Sequence, residues 1–315
     1  MMNKVNVAVI GFGHLGKWHT QKADQLEGSN LVAIIEPFEA NKKAAAQAYP
    51  HAKIVDKIED VIDEIDAAII VTPTSTHYEL TKQLLQNKKH VFCEKPLCST
   101  FEEAKDLEQY LGNRVLQVGH SERCHQAWEK LKDEFSQITG KKTIKITRFA
   151  PFKGRATDVD VVQDLMIHDI DLMLHLFGQK PIGVNSIGHK IRTDKWDHVT
   201  SHFFFATGDE VIITSGRNHV KEVRELEVMS SSGCHYVDLF TNTIHRGTNS
   251  QFEDGTFVKE ETYEKRDHLF IEQENFYNSI INNTTPMVTY EDGVNAVYLV
   301  TKVNESLDSG KRLEL

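Results

Sequence analysis

The sequence predicts an α/β Rossmann domain, built on a doubly wound parallel sheet, followed by an α+β domain with a mostly antiparallel open sheet. Three observations support this prediction. The chain has 315 residues, enough for two domains of about 100–200 residues each. Apolar strand-like runs alternate with helix-like segments up to residue 118, and a glycine-rich turn follows the first run. We therefore expect two domains, residues 1–120 and 121–315.

The first domain alternates short β-branched runs with segments of helical period, which is typical of βαβ units and a parallel sheet. The expected strands are residues 5–10, 31–35, 67–71, 90–93 and 115–118. The expected helices mix apolar and charged residues at helical spacing. They are residues 16–26, 39–48, 76–86 and 101–111.

The rhythm changes after residue 120. Several segments alternate apolar and polar residues, which predicts strands of an antiparallel sheet with one face covered. The expected strands are residues 143–149, 198–206, 210–215, 225–230 and 235–240. Helices are expected over residues 126–137, 164–177, 268–282 and 290–309.

The composition argues against several classes of protein. No stretch approaches the roughly 18 uninterrupted apolar residues of a membrane span, and the first residues enter a strand without a signal-peptide cleavage site. A formal net charge of −10 argues against nucleic acid or an anionic membrane as partner, because both bind basic surfaces. The four cysteines form no C-x-x-C pair, which favours reduced thiols and a cytoplasmic location.

The glycine-rich turn has the pattern of a dinucleotide site. It reads Gly11-Phe12-Gly13-His14-Leu15-Gly16 and stands between the first strand and the first helix. The first glycine permits the turn, the second lets the backbone approach a pyrophosphate, and the third lets the helix pack closely on the strand. The N-terminus of the helix offers free N–H groups to the phosphates.

Glu36 follows at the end of the second strand, about 20 residues after the glycines, where a carboxylate can accept hydrogen bonds from both ribose hydroxyls. The alternative interpretation is a glycine-rich turn followed by a surface carboxylate. Because a carboxylate here repels a 2′-phosphate, the sequence favours NAD and leaves NADP open.

Small polar residues follow the third expected strand. Thr72, Pro73 and His77 fall at the carboxyl edge of the sheet, where ligands bind in such folds, and we expect them to line the nicotinamide ribose. Alternatively, Thr74 or Ser75 caps the helix that begins near residue 76, which needs no ligand.

A lysine stands at the same edge in Glu94-Lys95-Pro96. The ammonium of Lys95 can hold a substrate hydroxyl and stabilise the alkoxide that develops as hydride leaves carbon. The competing interpretation is a solvated charge at the end of a strand.

The expected helix over residues 164–177 carries four polar residues, Asp164, His168, Asp171 and His175, at spacings that place them along one face. His168 is suited to accept the hydroxyl proton, and Asp164 or Asp171 to orient it or bind another hydroxyl. A metal site and a solvent-facing polar edge are the alternatives. We expect no metal, because no Cys or H-E-x-x-H signature joins the pair.

Basic residues near the domain boundary are candidates for binding substrate. Gly119-His120-Ser121-Glu122-Arg123 follows the last strand of the first domain. His120 could touch substrate, and Arg123 and Arg155 could bind an anionic group, since guanidinium pairs well with phosphate or carboxylate. Interdomain ion pairs are the alternative.

These motifs together resemble the Gfo/Idh/MocA family, which takes its name from glucose–fructose oxidoreductase and inositol dehydrogenase, among other members. The resemblance covers nearly the whole chain and rests on residues 9–16, Thr72-Pro73 with His77, Glu94-Lys95-Pro96, and Asp164 with His168. It implies a Rossmann domain, an α+β domain whose open sheet often forms oligomers, and a site in the cleft between them. It also implies roles: Lys95 and Asp164 as catalytic residues, and His168 as general acid/base.

Within the family, residues 119–123 and 164–171 are similar to those of enzymes that oxidise the 3-hydroxyl of UDP-N-acetylglucosamine. Cys124-His125-Gln126 departs from the F-N-P expected there. The alternatives are an inositol, a free sugar or another cyclic polyol, or a non-catalytic nicotinamide-binding sensor or co-regulator. Retention of Lys95 and His168 argues against the sensor. A homodimer or homotetramer is expected from the resemblance.

Overall fold

The structure, a computed structural model, describes residues 4–154, 157 and 159–315. The chain forms two compact units. The first holds the residues up to Ser121 together with Asp267–Val297, and the second holds Glu122–Arg266 and Tyr298–Leu315. A single boundary at residue 120 therefore does not account for residues 267–297. They join the first unit because Phe276 and Tyr277 lie in its core, at 0% and 1% exposure.

The strands, in chain order, are β1 Val5–Ile10, β2 Ser29–Ile35, β3 Lys53–Val55, β4 Ala67–Ile70, β5 His90–Glu94, β6 Leu116–Gly119, β7 Thr143–Phe149, β8 Gly183–His189, β9 His198–Phe204, β10 Glu210–Gly216, β11 Val223–Ser230, β12 Gly233–Asp238, β13 Thr243–Thr248, β14 Val258–Thr262 and β15 Leu313–Glu314. The α-helices are α1 His14–Gln25, α2 Glu39–Ala48, α3 His77–Gln86, α4 Phe101–Asp106, α5 Glu108–Leu111, α6 Gln126–Glu134, α7 Ile167–Phe177, α8 His268–Asn282 and α9 Tyr290–Ser309.

The first unit is a parallel sheet with strand order β3-β2-β1-β4-β5-β6. This is the order of a Rossmann fold, in which ligands bind at the carboxyl ends of the strands where the order reverses. That point lies between β1 and β4. The five expected strands are present, and β3, which is three residues long, is additional.

The second unit is built on a sheet with strand order β14-β13-β12-β11-β7-β10-β9-β8-β15. All neighbouring strands are antiparallel except β7 and β10. Burial alternates along β9, where Val199, Ser201 and Phe203 face the interior. The predicted fold class is thus confirmed, although β8, β13, β14 and β15 are additional to the expected strands.

The helix expected over residues 164–177 differs from the prediction at its start. A π-helical turn, Val162–Met166, precedes α7 and contains Asp164. Helix α7 ends at Phe177 and is capped by Gly178, which adopts the left-handed conformation with φ 64°. Single π-helical turns inserted in helices are frequent at functional sites. Among the described residues, no helix has the length and apolar character needed to cross a membrane.

Candidate active site

The three glycines of the turn after β1 have different steric surroundings. Gly11 has φ +98°, and a Cβ added there would lie 2.6 Å from the Val71 carbonyl oxygen. A Cβ at Gly16 would lie 2.1 Å from the Gly11 carbonyl oxygen, so α1 packs directly on the turn. A Cβ at Gly13 would meet nothing within 4 Å among the described residues. This open space is where a pyrophosphate can approach the backbone.

The first residues of α1 complete this cradle. Gly13 is the N-cap, and His14 and Leu15 are exposed at the beginning of the helix. The N–H groups of a first helical turn have no partner within the helix and carry a partial positive charge. The turn is therefore suited to an anionic group of the size of a dinucleotide pyrophosphate.

Glu36 is 3% exposed and is fixed by three donors. Its Oε2 accepts from the Phe12 backbone N–H at 2.8 Å and from the Asn41 amide at 3.2 Å, and its Oε1 accepts from the Phe38 N–H at 2.9 Å. This carboxylate thus joins the glycine turn to the end of β2. A carboxylate has about four acceptor positions, so Oε1 retains capacity for a ribose hydroxyl.

Thr72 and His77 link two loops at the carboxyl edge. The His77 ring is 1% exposed, with Nε2 at 2.9 Å from the Thr72 carbonyl oxygen and Nδ1 at 2.7 Å from the Pro96 carbonyl oxygen. Burial lowers the pKa of His77, and the two carbonyl groups oppose that shift. Thr76, not Thr74 or Ser75, is the N-cap of α3. His77 therefore connects the loop that contains Thr72 with the loop that contains Lys95 and Pro96.

Lys95 follows β5 directly, is half-buried, and precedes Pro96 across a cis peptide bond. Its backbone N–H donates to Glu94 Oε2 at 3.1 Å, and Glu94 Oε1 lies 2.8 Å from His19 Nε2. Burial alone would raise the pKa of Glu94, but the His19 hydrogen bond and the charge of Lys95 lower it. Sequence reasoning missed His19. The available signal is its place on the buried face of α1, four residues before Ala23.

Asp164 and His168 are both half-buried in the second unit, Asp164 in the π-helical turn and His168 in the first turn of α7. The Asp164 N–H donates to the Asp160 carbonyl oxygen at 3.1 Å. The side chain of Asp160 in turn accepts from the Gln163 N–H at 2.8 Å and from Asn304 at 2.9 Å. These bonds fix the start of the helix that carries both residues.

A group of charged side chains, all buried except the half-buried Arg224, lies next to His168. We call Glu122, Arg148, Asp169 and Arg224 the arginine cluster. Arg148 binds Asp169 at 2.8–3.0 Å and Glu122 at 3.2 Å, and Arg224 binds Glu122 at 3.0 Å. Burial would raise the pKa of Glu122, but Arg148, a hydrogen bond with His125, and the charges of His168 and Arg224 hold it well below its usual value. His168 thus lies close enough for its charge to affect the pKa of the Glu122 carboxyl.

The other predicted substrate contacts are placed differently. Arg123 is 4% exposed, and its Nε and Nη2 bind the two oxygens of Asp171 at 2.8 and 2.6 Å. The guanidinium that we expected to bind an anionic substrate group is therefore paired with the Asp171 carboxylate inside the second unit. His175 lies 6.3 Å from Trp128, ring to ring.

His120 is buried at 1% exposure, just beyond β6. Arg155 lies outside the described residues. Substrate contacts by His120, Arg123 and Arg155 stay predictions. Among the described residues, no group of three or more His, Cys, Asp or Glu side chains is arranged to hold a metal ion.

The family model for the Gfo/Idh/MocA oxidoreductases, an oxidoreductase family with an NAD-binding Rossmann fold, matches residues 5–120. The chain is 33% identical to the UDP-N-acetylglucosamine 3-dehydrogenase of Acidithiobacillus ferrooxidans, over 89% of this chain and 90% of that relative. It is 25% identical to the scyllo-inositol 2-dehydrogenase (NAD(+)) of Bacillus subtilis, over 100% and 97% of the two chains.

Solved structures of the same two kinds of dehydrogenase are similar to this chain. One structure of the Acidithiobacillus ferrooxidans UDP-N-acetylglucosamine 3-dehydrogenase has a TM-score of 0.88 and 29% identity, covering 98% of this chain and 99% of that one. A scyllo-inositol dehydrogenase from Lactobacillus casei, solved with bound NAD(H) and scyllo-inositol, has a TM-score of 0.83 and 22% identity, covering 99% of each chain. At 22% identity, the similarity to the Lactobacillus casei structure shows a shared fold alone.

Proposed function

The chain belongs to the Gfo/Idh/MocA family of NAD-binding oxidoreductases, and on that basis we propose that it oxidises the 3-hydroxyl of UDP-N-acetylglucosamine with NAD. It is an enzyme that transfers a hydride between nicotinamide and a hydroxyl-bearing carbon of a sugar-like molecule. The observation that supports this substrate is 33% identity with an enzyme of that name across nine-tenths of both chains.

The first unit supplies the cofactor site in this proposal. The glycine turn and the first turn of α1 hold the pyrophosphate, Glu36 binds the adenosine ribose, and the edge formed by Thr72, Pro73, Glu94 and Lys95 lies along the nicotinamide ribose. Bound NAD supplies the hydride acceptor. The open space at Gly13 and the capacity left on Glu36 Oε1 support this arrangement.

The residues of the chain supply charge and proton transfer. His168 accepts the proton of the substrate hydroxyl as the neighbouring C–H hydride departs, so the alcohol becomes a ketone. The Lys95 ammonium stabilises the negative charge that develops on the oxygen during the same step. Asp164 orients His168 or binds a second hydroxyl. In the reverse direction the same groups return the proton.

Glu36 supports a preference for NAD over NADP. A 2′-phosphate would bring a second anion against a buried carboxylate that the Phe12 and Phe38 N–H groups already fix in place. Replacement of Glu36 by Ser is expected to shift the ratio of kcat/KM toward NADP. An unchanged ratio would show that another residue sets the preference.

The test is reduction of NAD, followed by the absorbance of the reduced nicotinamide, with UDP-N-acetylglucosamine compared against inositols and free sugars. Lys95→Ala and His168→Ala should each lower turnover by at least ~10²-fold and leave NAD affinity nearly unchanged. Wild-type turnover in either variant contradicts the assigned roles.

An inositol is the second candidate substrate, because relatives named inositol dehydrogenases match over most of the chain. Turnover with an inositol and none with the nucleotide sugar would keep the mechanism and replace the substrate. NAD binding without turnover on any of these compounds would favour the non-catalytic sensor.

We further propose a cytoplasmic homodimer or homotetramer that assembles through the outer face of the nine-stranded sheet. Ile187 and Met229, at 65% and 47% exposure, are large apolar side chains on strands of this sheet. The four cysteines are free thiols, as a reducing compartment favours. Light scattering of the purified protein tests the assembly, and a monomeric mass would contradict it.

A further inference from the structure

Four buried polar side chains connect the carboxyl end of β5 with α8 inside the first unit. We call Glu94, His19, Gln273 and Tyr277 the His19 network. Their exposures are 8%, 0%, 0% and 1%. His19 Nε2 lies 2.8 Å from Glu94 Oε1, Gln273 Nε2 lies 3.0 Å from His19 Nδ1, and the Tyr277 hydroxyl donates to Gln273 Oε1 at 3.1 Å.

The position of each proton in this network follows from one contact. Gln273 Nε2 also lies 3.0 Å from the main-chain oxygen of His19. Because that oxygen only accepts, the Gln273 amide must present its NH₂ group to His19. The second hydrogen of that group then meets His19 Nδ1, which is an acceptor and carries no proton. His19 is therefore the neutral Nε2–H tautomer, and it donates to Glu94.

Glu94 is held from three directions. One oxygen accepts from His19, and the other accepts from the Lys95 backbone N–H at 3.1 Å. Gly119 of β6 lies against the same carboxylate, since a Cβ added there would come within 2.9 Å of Oε1. A shift of Glu94 therefore moves the backbone from which the Lys95 side chain projects.

We propose that the His19 network positions Lys95, with His19 and Gln273 as positioning residues that act through Glu94. This inference rests on the function proposed above for Lys95. Helix α8 comes from the far end of the chain, 254 residues after His19, so a distant segment fixes the lysine. A displacement of about 1 Å at a reacting group can cost ~10²-fold in rate.

The test compares two substitutions of one residue. His19→Gln keeps an N–H donor where His19 Nε2 lies, whereas His19→Leu removes it. His19→Leu should lower kcat by at least ~10-fold with little change in the Kd for NAD, and His19→Gln should restore most of that loss.

The pH–kcat profile gives a second comparison of the same two variants. Without the donor the pKa of Glu94 rises. The acid limb of the profile should therefore move to higher pH in His19→Leu and stay in place in His19→Gln. Thr20→Val is the control, because Thr20 is equally buried on the same helix and its hydroxyl donates to the Gly16 carbonyl oxygen, outside the His19 network.

Two further measurements do not depend on turnover, so they stand even if the substrate proposal fails. Nitrogen NMR shifts should show His19 as the Nε2–H tautomer, and hydrogen exchange of the Lys95 amide should quicken in His19→Leu but not in His19→Gln or Thr20→Val. Gly119→Ala, which presses on Glu94 from the other side, should quicken the same exchange. Equal exchange and equal pH profiles in His19→Leu and His19→Gln would overturn the proposal, as would the other tautomer.

Discussion

The two units hold their functional groups with different chemistry. Behind Lys95, the His19 network contains one carboxylate, and its other members are a neutral imidazole, an amide and a phenol. Behind His168, the arginine cluster consists of charged groups only, with two guanidinium groups against two carboxylates. The first arrangement fixes direction through the polarity of its hydrogen bonds, and the second fixes position through ion pairs, of which those of Arg148 are buried.

This difference predicts which kind of substitution should destabilise each unit. A buried ion pair that loses one partner leaves an uncompensated charge, which is among the costliest defects in a protein interior. The His19 network should lose less when one donor is removed, because Glu94 still accepts from the Lys95 backbone N–H. The second unit should therefore be sensitive in stability to changes of charge, whereas the first should be sensitive to changes of shape and direction.

The largest effect is expected in the arginine cluster. Arg148→Met leaves Asp169 and Glu122 buried beside an apolar side chain, and the free energy of unfolding should fall by about 3–5 kcal/mol. Urea denaturation measures the loss. Arg224→Met is the matched control, because Arg224 contacts the same Glu122 oxygen but is 38% exposed against 4% for Arg148. Its cost should stay below about 1 kcal/mol, and equal losses in both variants would break the comparison.

The next effect comes from adding one methyl group to the first unit. Gly16→Ala places a Cβ 2.1 Å from the Gly11 carbonyl oxygen and should cost about 1–3 kcal/mol of unfolding free energy, because backbone has to move.

Gly13→Ala sharpens this prediction. It meets nothing within 4 Å among the described residues, so stability should change by less than about 1 kcal/mol. The Kd for NAD should nevertheless rise by at least ~10-fold, since the methyl group occupies the space for the pyrophosphate. Titration calorimetry separates the two variants, and unchanged affinity in Gly13→Ala would contradict the cofactor site.

The smallest effect concerns pH. Burial and the charge of Arg114 lower the pKa of His90 to about 4, from an ordinary value of 6.5. Its neutral form stabilises the fold fully above the ordinary value, and this contribution is lost as pH falls toward 4. His90→Asn keeps an acceptor for the Val115 N–H, which His90 Nδ1 binds at 2.9 Å, but cannot titrate.

Between about pH 7 and about pH 5, the wild-type protein should lose about 1 kcal/mol more stability than His90→Asn, after allowance for solvent screening. Denaturation midpoints at the two pH values measure this difference. Parallel losses in both proteins would place the titrating group elsewhere. The arginines of the second unit carry their charge throughout this range, so they add no comparable dependence.

The parts of the site that were predictable from sequence are local in the chain. The glycine turn, Glu36 and Glu94-Lys95-Pro96 each depend on a strand and the few residues after it, and a linear pattern contains that information. His19 and Gln273 meet across 254 residues, and no local pattern relates them. Arg123 and Asp171 are a similar case, because a pairing across 48 residues decides what the guanidinium binds.

The fold shows the same limit. Strand β14 is exposed along all five residues, so it lacks the alternation that predicts a strand. Strand β3 has only three residues, too few to show a period. The π-helical turn at Asp164 has the same residue types as an α-helix, and hydrogen bonds rather than composition distinguish the two.

The return of residues 267–297 to the first unit also bears on how the protein is made. A ribosome releases residues 4–121 long before α8 exists, and until then the sheet lacks Phe276 and Tyr277 from its core and His19 lacks the Gln273 amide. Nascent domains generally fold as units in order of synthesis. Here the first unit cannot complete its core until α8 has been synthesised, so Lys95 acquires its final support only after residues 122–266 of the second unit have been synthesised.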